Sequence, residues 1–156
     1  MTGRIQVCAG TSGISAGAED VFKAFNTLLK KHDLHQQFSV VKTGDRGLFR
    51  DVLVDIVFED GSKTIYERVT KDDVKEIVDS HLIKNEPVKK LLVGKDYEQF
   101  FKDQKRIVLK NCGEIDPNNI DEYIAREGYN AAKKALKMKP KEIIETMKDS
   151  GLRGRG

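Results

Sequence analysis

The chain has 156 residues, 38% apolar and 34% charged, which is enough for one ordinary core or two small ones and argues against a disordered chain. Its 28 Lys and Arg face 25 Asp and Glu. Runs such as Lys71-Asp72-Asp73-Val74-Lys75-Glu76 mix the signs as a solvated helix face does, so no nucleic-acid partner is expected. No window approaches the roughly 20 apolar residues of a bilayer span. The N-terminus also lacks a basic stretch followed by an apolar one, so a cytoplasmic protein without membrane insertion is expected.

Arg4 to Ala9 reads as a strand, and the glycine-rich run from Gly10 to Gly17 predicts a loop after it. Val21, Phe25, Leu28 and Leu29 then recur at helical spacing behind Glu19 and Asp20, predicting a helix from Ala18 to about His32. Gln37 to Lys42 is a second strand, closed by the turn-forming Thr43-Gly44-Asp45-Arg46-Gly47. Val52 to Phe58 and Lys63 to Arg68 form an antiparallel pair around Glu59-Asp60-Gly61-Ser62. Thr70, with Asp73 three residues on, opens a second helix whose inner face is Val74, Ile77, Val78, His81 and Leu82. The order βαββα predicts an α/β (α+β) domain, thioredoxin-like in outline, over residues 1–92.

Residues 93–105 read as a charged linker carrying Tyr97, Phe100 and Phe101, and residues 106–156 as the start of a further unit. Ile107 to Leu109 is a brief extended run, and Asp116-Pro117 looks like a helix start for Ile120, Tyr123 and Ile124. Helices over Ala131 to Lys137 and from Pro140 follow, the last capped by Gly151. Three short helices enclose little core, so a larger unit is expected around them.

The chain holds two cysteines, Cys8 and Cys112, too few and too far apart in sequence for a disulfide scaffold. Cys8 lacks the nearby second cysteine of a dithiol exchanger and reads as a packed thiol. His32, His35 and His81 show no zinc spacing, and Ser12 and Ser15 no accompanying base, so neither a metal site nor a catalytic nucleophile is expected. At the end of the chain, glycine and arginine alternate through Arg153, Gly154, Arg155 and Gly156. They offer backbone N–H groups and guanidinium forks suited to phosphate, against the plainer reading of a frayed tail.

Arg106-Ile107-Val108-Leu109-Lys110-Asn111-Cys112-Gly113-Glu114-Ile115-Asp116-Pro117, then Ile120 to Ala125 and Ser150 to Gly156, closely resemble a family of flavin-binding subunits. That family includes the NADH-oxidising subunit of respiratory complex I and its relatives in NAD-linked hydrogenases and formate dehydrogenases. The resemblance covers about the last third of the chain. It implies that Arg153, Gly154, Arg155 and Gly156 begin a loop that helps hold FMN and NAD(H). It also implies that the family's nucleotide fold and the cysteines of its four-iron cluster would lie beyond residue 156, so the sequence reads as part of a larger subunit.

The first domain resembles the thioredoxin-like ferredoxin module carried ahead of the flavin domain in hydrogenase-type members. In cluster-bearing versions two loops supply four cysteines. The corresponding positions here are Cys8, Gly13, Asp45 and Phe49, so no two-iron cluster is expected and a docking role is implied instead. The resemblance thus implies the N-terminal portion of an NAD(P)H-dependent flavin and iron-sulfur oxidoreductase subunit, partnered by other subunits of a redox complex. By itself this chain is expected to be inactive. A non-catalytic docking module is the alternative.

Overall fold

A computed structural model describes residues 2–154. It divides into two compact units, one ending at Asn118 and one beginning at Asn119.

The first unit is built on a four-stranded sheet in the order β2-β1-β3-β4, with β1 at Gly3–Cys8, β2 at Phe38–Thr43, β3 at Val54–Phe58 and β4 at Lys63–Tyr66. β1 runs parallel to β2, aligning Cys8 with Thr43, and antiparallel to β3, aligning Ile5 with Ile56 and Gln6 with Asp55. In chain order the unit runs strand, helical segment, three strands, helix, one strand more than βαββα counts, and its thioredoxin-like outline is the one that the sequence implies. Side chains alternate along a strand, so Ile5, Val7, Val54 and Ile56 share one face, and these four join the main core.

Helix α2, Ala18–Lys31, covers that face with Val21, Phe25 and Leu29, each four residues from the next. Gly17 precedes it at φ 99°, a left-handed turn that glycine takes without strain, and Glu19 and Asp20 complement its positive end. Helix α3, Asp73–Glu76, continues as a π-helical turn over Ile77–Leu82 and buries Val74, Ile77 and Val78 beside α2. Burying each such aliphatic side chain contributes about 1.5–3 kcal/mol.

The π turn places His81 in the core, where its Nδ1 shares a 2.8 Å hydrogen bond with Tyr66 OH, which also accepts the Val88 N–H at 3.1 Å. Burial lowers the His81 pKa below its ordinary value, so the folded chain holds it neutral. The unfolded chain takes up the proton near pH 6.5. Stability from this group is therefore complete above that pH and lost as pH falls below it. Urea midpoints measured between pH 7 and 5 should fall less steeply for His81→Gln than for the natural chain, and equal slopes would remove His81 as the cause.

Three segments differ from the sequence expectation. The loop after β1 contains a one-turn helix, α1, Thr11–Ser15. The expected linker contains helix α4, Lys95–Lys102, whose Tyr97 is buried and meets Phe101 edge-on at 5.0 Å. Residues 107–109 are not extended: Cys112 N–H donates back to Leu109 O at 3.1 Å and Glu114 N–H to Asn111 O at 3.1 Å, so a succession of turns takes the hydrogen bonds that a strand would need from a neighbour. The segment 95–118 belongs to the first compact unit, so the division in the structure falls later than residue 92.

The second unit contains α5, Ile120–Ala125, α6, Asn130–Ala135, and α7, Pro140–Asp149. The helix expected from Asp116-Pro117 begins instead behind Asn119, whose Oδ1 accepts the Asp121 and Glu122 N–H groups. Pro140 occupies the first turn of α7, and Gly151 follows it at φ 66°. None of the residues of these three helices is buried, and Ile120, Leu136, Ile144 and Met147 are each at least half exposed.

Candidate functional site

The carboxyl ends of the parallel strands β1 and β2 open into adjacent loops, and three of the four singled-out positions meet there. Cys8 ends β1 with its thiol buried, 3.8 Å from Gly44 O. Burial pushes that thiol up to about 11; the Asp51 and Asp45 carboxylates add to the shift, while the Gly10 backbone N–H opposes it. A proton therefore stays on Cys8 at neutral pH, and the group is neither a ready nucleophile nor a ready metal ligand.

Asp45 is engaged on both carboxylate oxygens: Oδ2 accepts from Ser12 Oγ at 2.7 Å, and Oδ1 from the Gly47 N–H at 2.6 Å. Gly13 lies in α1 so close to β1 that a Cβ there would overlap the Cys8 carbonyl oxygen, with Asp51 Oδ1 3.5 Å away. Gly10 faces Asp45 so closely that its Cβ would stand 2.6 Å from the Asp45 Cβ. Phe49, at φ 54°, is 84% exposed. Among the described residues, no group of three His, Cys, Asp or Glu side chains is placed to hold a metal ion.

The opposite face of the sheet carries a second constellation that the sequence reading missed. Asp55, on β3, is fully buried and ion-paired with Arg46. Burial acts against the Arg46 charge, but attraction and hydrogen bonding from Asp55 outweigh it and hold the guanidinium above its ordinary range. Arg46 also donates to Tyr97 OH at 2.9 Å and to Gly113 O at 3.1 Å. Lys63 pairs with Asp55 at 2.6 Å, and Gln6 donates to Glu114 O at 3.2 Å. The signal was the lone acid in Val52-Leu53-Val54-Asp55-Ile56-Val57-Phe58.

Arg153 and Gly154 follow α7 in an exposed segment, and among the described residues no atom beyond the chain neighbours lies within 4 Å of the position of a Gly154 Cβ. Arg155 and Gly156 lie outside the described residues.

No family model matches the chain. The NADP-reducing hydrogenase subunit HndC of Solidesulfovibrio fructosivorans is 54% identical over 55 residues, which is 35% of this chain and 11% of that protein. An NADH-quinone oxidoreductase subunit of Aquifex aeolicus is 46% identical over 50 residues, 32% of this chain and 12% of that protein. Part of this chain is homologous to subunits of NADH-quinone oxidoreductase and NADP-reducing hydrogenase. The match spans only about a tenth of the length of these redox relatives. The thioredoxin-like [2Fe-2S] ferredoxin of Aquifex aeolicus superposes with a TM-score of 0.53 at 26% identity, over 60% of this chain and 98% of the ferredoxin.

That ferredoxin fold raises the question of whether these residues suit a two-iron cluster, and they do not. One protonated thiol, one doubly engaged carboxylate, a glycine pressed on a backbone carbonyl and an outward phenylalanine are not the four thiolates such a cluster takes.

Proposed function

We propose that this chain is the N-terminal portion of an NAD(P)H-dependent oxidoreductase subunit that works with FMN and iron-sulfur clusters inside a multi-subunit redox complex. The observation that carries the reading is the 54% identity over 55 residues to the hydrogenase subunit HndC. The ferredoxin-like fold supports the same reading. Flavin in such a subunit supplies hydride acceptance from NADH and single-electron release. The residues of this chain contribute binding: Arg153 and Arg155 give charge to phosphate oxygens, and Gly154 and Gly156 let the backbone approach closely. We place the protein in the cytoplasm; no helix among the described residues is long and apolar enough to cross a membrane.

Docking to other subunits is the second part of the reading, favoured by the exposed apolar residues of α5 to α7 and by a ferredoxin-like site whose residues do not suit a cluster. Two samples test the proposal: residues 1–156, and the same sequence continued through the remainder of such a subunit. The first is expected to bind FMN weakly and to show no NADH turnover. The second is expected to be yellow and to bleach with NADH. A colourless, folded longer protein would leave docking as the whole function.

A further inference from the structure

The face of the sheet opposite the main core brings both thiols of the chain to one glycine. Gln6 and Cys8 stand two residues apart on β1 and so project to the same side, where residues 112–114 lie across the sheet. That short segment is pinned. Glu114 O accepts from Gln6 Nε2 at 3.2 Å, and Gly113 O accepts from Arg46 at 3.1 Å. A Cβ on Gly113 would overlap the Arg46 side chain, so the backbone lies directly on it.

Cys112, the preceding residue, is thereby held at Gly44, its Sγ 3.5 Å from where a Gly44 Cβ would stand. Cys8 Sγ approaches the same residue, 3.8 Å from Gly44 O. Both thiols thus approach Gly44, a residue without a side chain.

We propose that Cys8 and Cys112 form a redox couple, joined by a small-molecule disulfide such as oxidised glutathione, so that oxidation fastens the segment around Cys112 to the sheet. Cys112 is the more accessible thiol and reacts first. Its thiolate attacks one sulfur of glutathione disulfide, forming a mixed disulfide and releasing one glutathione thiolate. Cys8 then attacks the Cys112 sulfur through the small thiolate fraction that burial leaves it, a slow second step, and the second glutathione leaves as a thiolate that takes up the proton Cys8 has lost. Two protein thiols are oxidised, one glutathione disulfide is reduced to two thiols, and the two protons end on the released glutathione. The coupling stands apart from the flavin reading, because it needs only residues of the first compact unit.

The test uses the 156-residue chain, reduced, then incubated anaerobically with oxidised glutathione, alkylated and digested without reduction. The expected product is a monomer lighter by two hydrogens, containing a Cys8–Cys112 linked peptide. Tryptic cleavage at Arg106 and Lys110 should slow severalfold and recover with dithiothreitol. Cys112→Ala, at a half-buried position that leaves the main core intact, should abolish both the linked peptide and the slowing. Glutathione left on Cys112 with Cys8 still free, or dimers linked through Cys112, would overturn the proposal.

Discussion

Arg46→Met is expected to destabilise the chain by about 3 kcal/mol, the cost of leaving a buried carboxylate without its principal partner. Asp55 is fully buried, and its Oδ1 already has no hydrogen-bond partner. Removing Arg46 leaves Lys63, 2.6 Å from Oδ2 and itself partly exposed, as the remaining counter-charge. Tyr97 OH and Gly113 O also lose their donor. For a chain of this size the loss corresponds to a fall in Tm of about 10 °C.

Arg46→Met combined with Asp55→Leu removes both charges and should recover most of the loss, because a buried pair replaced by apolar side chains is often neutral in stability. Thermal and urea unfolding of the two single variants and the double variant check this. Additive losses in the double variant, or a single-variant effect under about 1 kcal/mol, would show that the pair is not coupled as the geometry requires. Hydrogen exchange should also rise first in residues 109–115, since Arg46 holds their backbone through Gly113 O.

Why this network escaped the sequence reading follows from what alternation reports. Gln6 lies between Ile5 and Val7, and Asp55 between Val54 and Ile56, a pattern that ordinarily means one face toward a core and one toward water. Period two identifies the residues that share a face, but not what covers it. Here α4 and residues 112–114 cover the second face, and α4 itself was read as linker because Tyr97 and Phe101 stand among charges. Helix α2 and the four strands were legible because their spacing and glycine turns are local signals. The π turn at Ile77–Leu82 was not, since the inner residues of an α-helix and of a π turn differ by a fraction of a residue per turn. At the strand ends, the resemblance to the ferredoxin module implies Cys8, Gly13, Asp45 and Phe49 as an incomplete cluster set. It could not reveal that Gly13 presses on the Cys8 carbonyl or that Ser12 and Gly47 occupy the Asp45 carboxylate.

That closeness leads to the second large effect. Placing cysteine at the three positions that lack it, Gly13→Cys with Asp45→Cys and Phe49→Cys, is expected to yield a colourless chain after reconstitution with iron and sulfide. A cysteine at position 13 needs its Cβ where the Cys8 carbonyl oxygen lies, and that carbonyl belongs to the backbone of β1, which is held on both sides by neighbouring strands. The overlap is relieved only by moving α1 away from the sheet, an overpacking cost of about 1–3 kcal/mol. Asp45→Cys then removes the bonds to Ser12 and Gly47 that fix the second loop. A cysteine at position 49 would start from a side chain that is 84% exposed, on a residue at positive φ. Four thiols in the sequence are therefore not four thiolates around one point. Iron and acid-labile sulfide assays with a visible spectrum decide the matter, and Gly13→Ala measured alone reports the steric cost without any ligand chemistry. A brown protein with stoichiometric iron would mean that α1 shifts readily. Destabilisation by Gly13→Ala together with an iron-free triple variant would locate the obstacle in the backbone between α1 and β1 rather than in the missing sulfur.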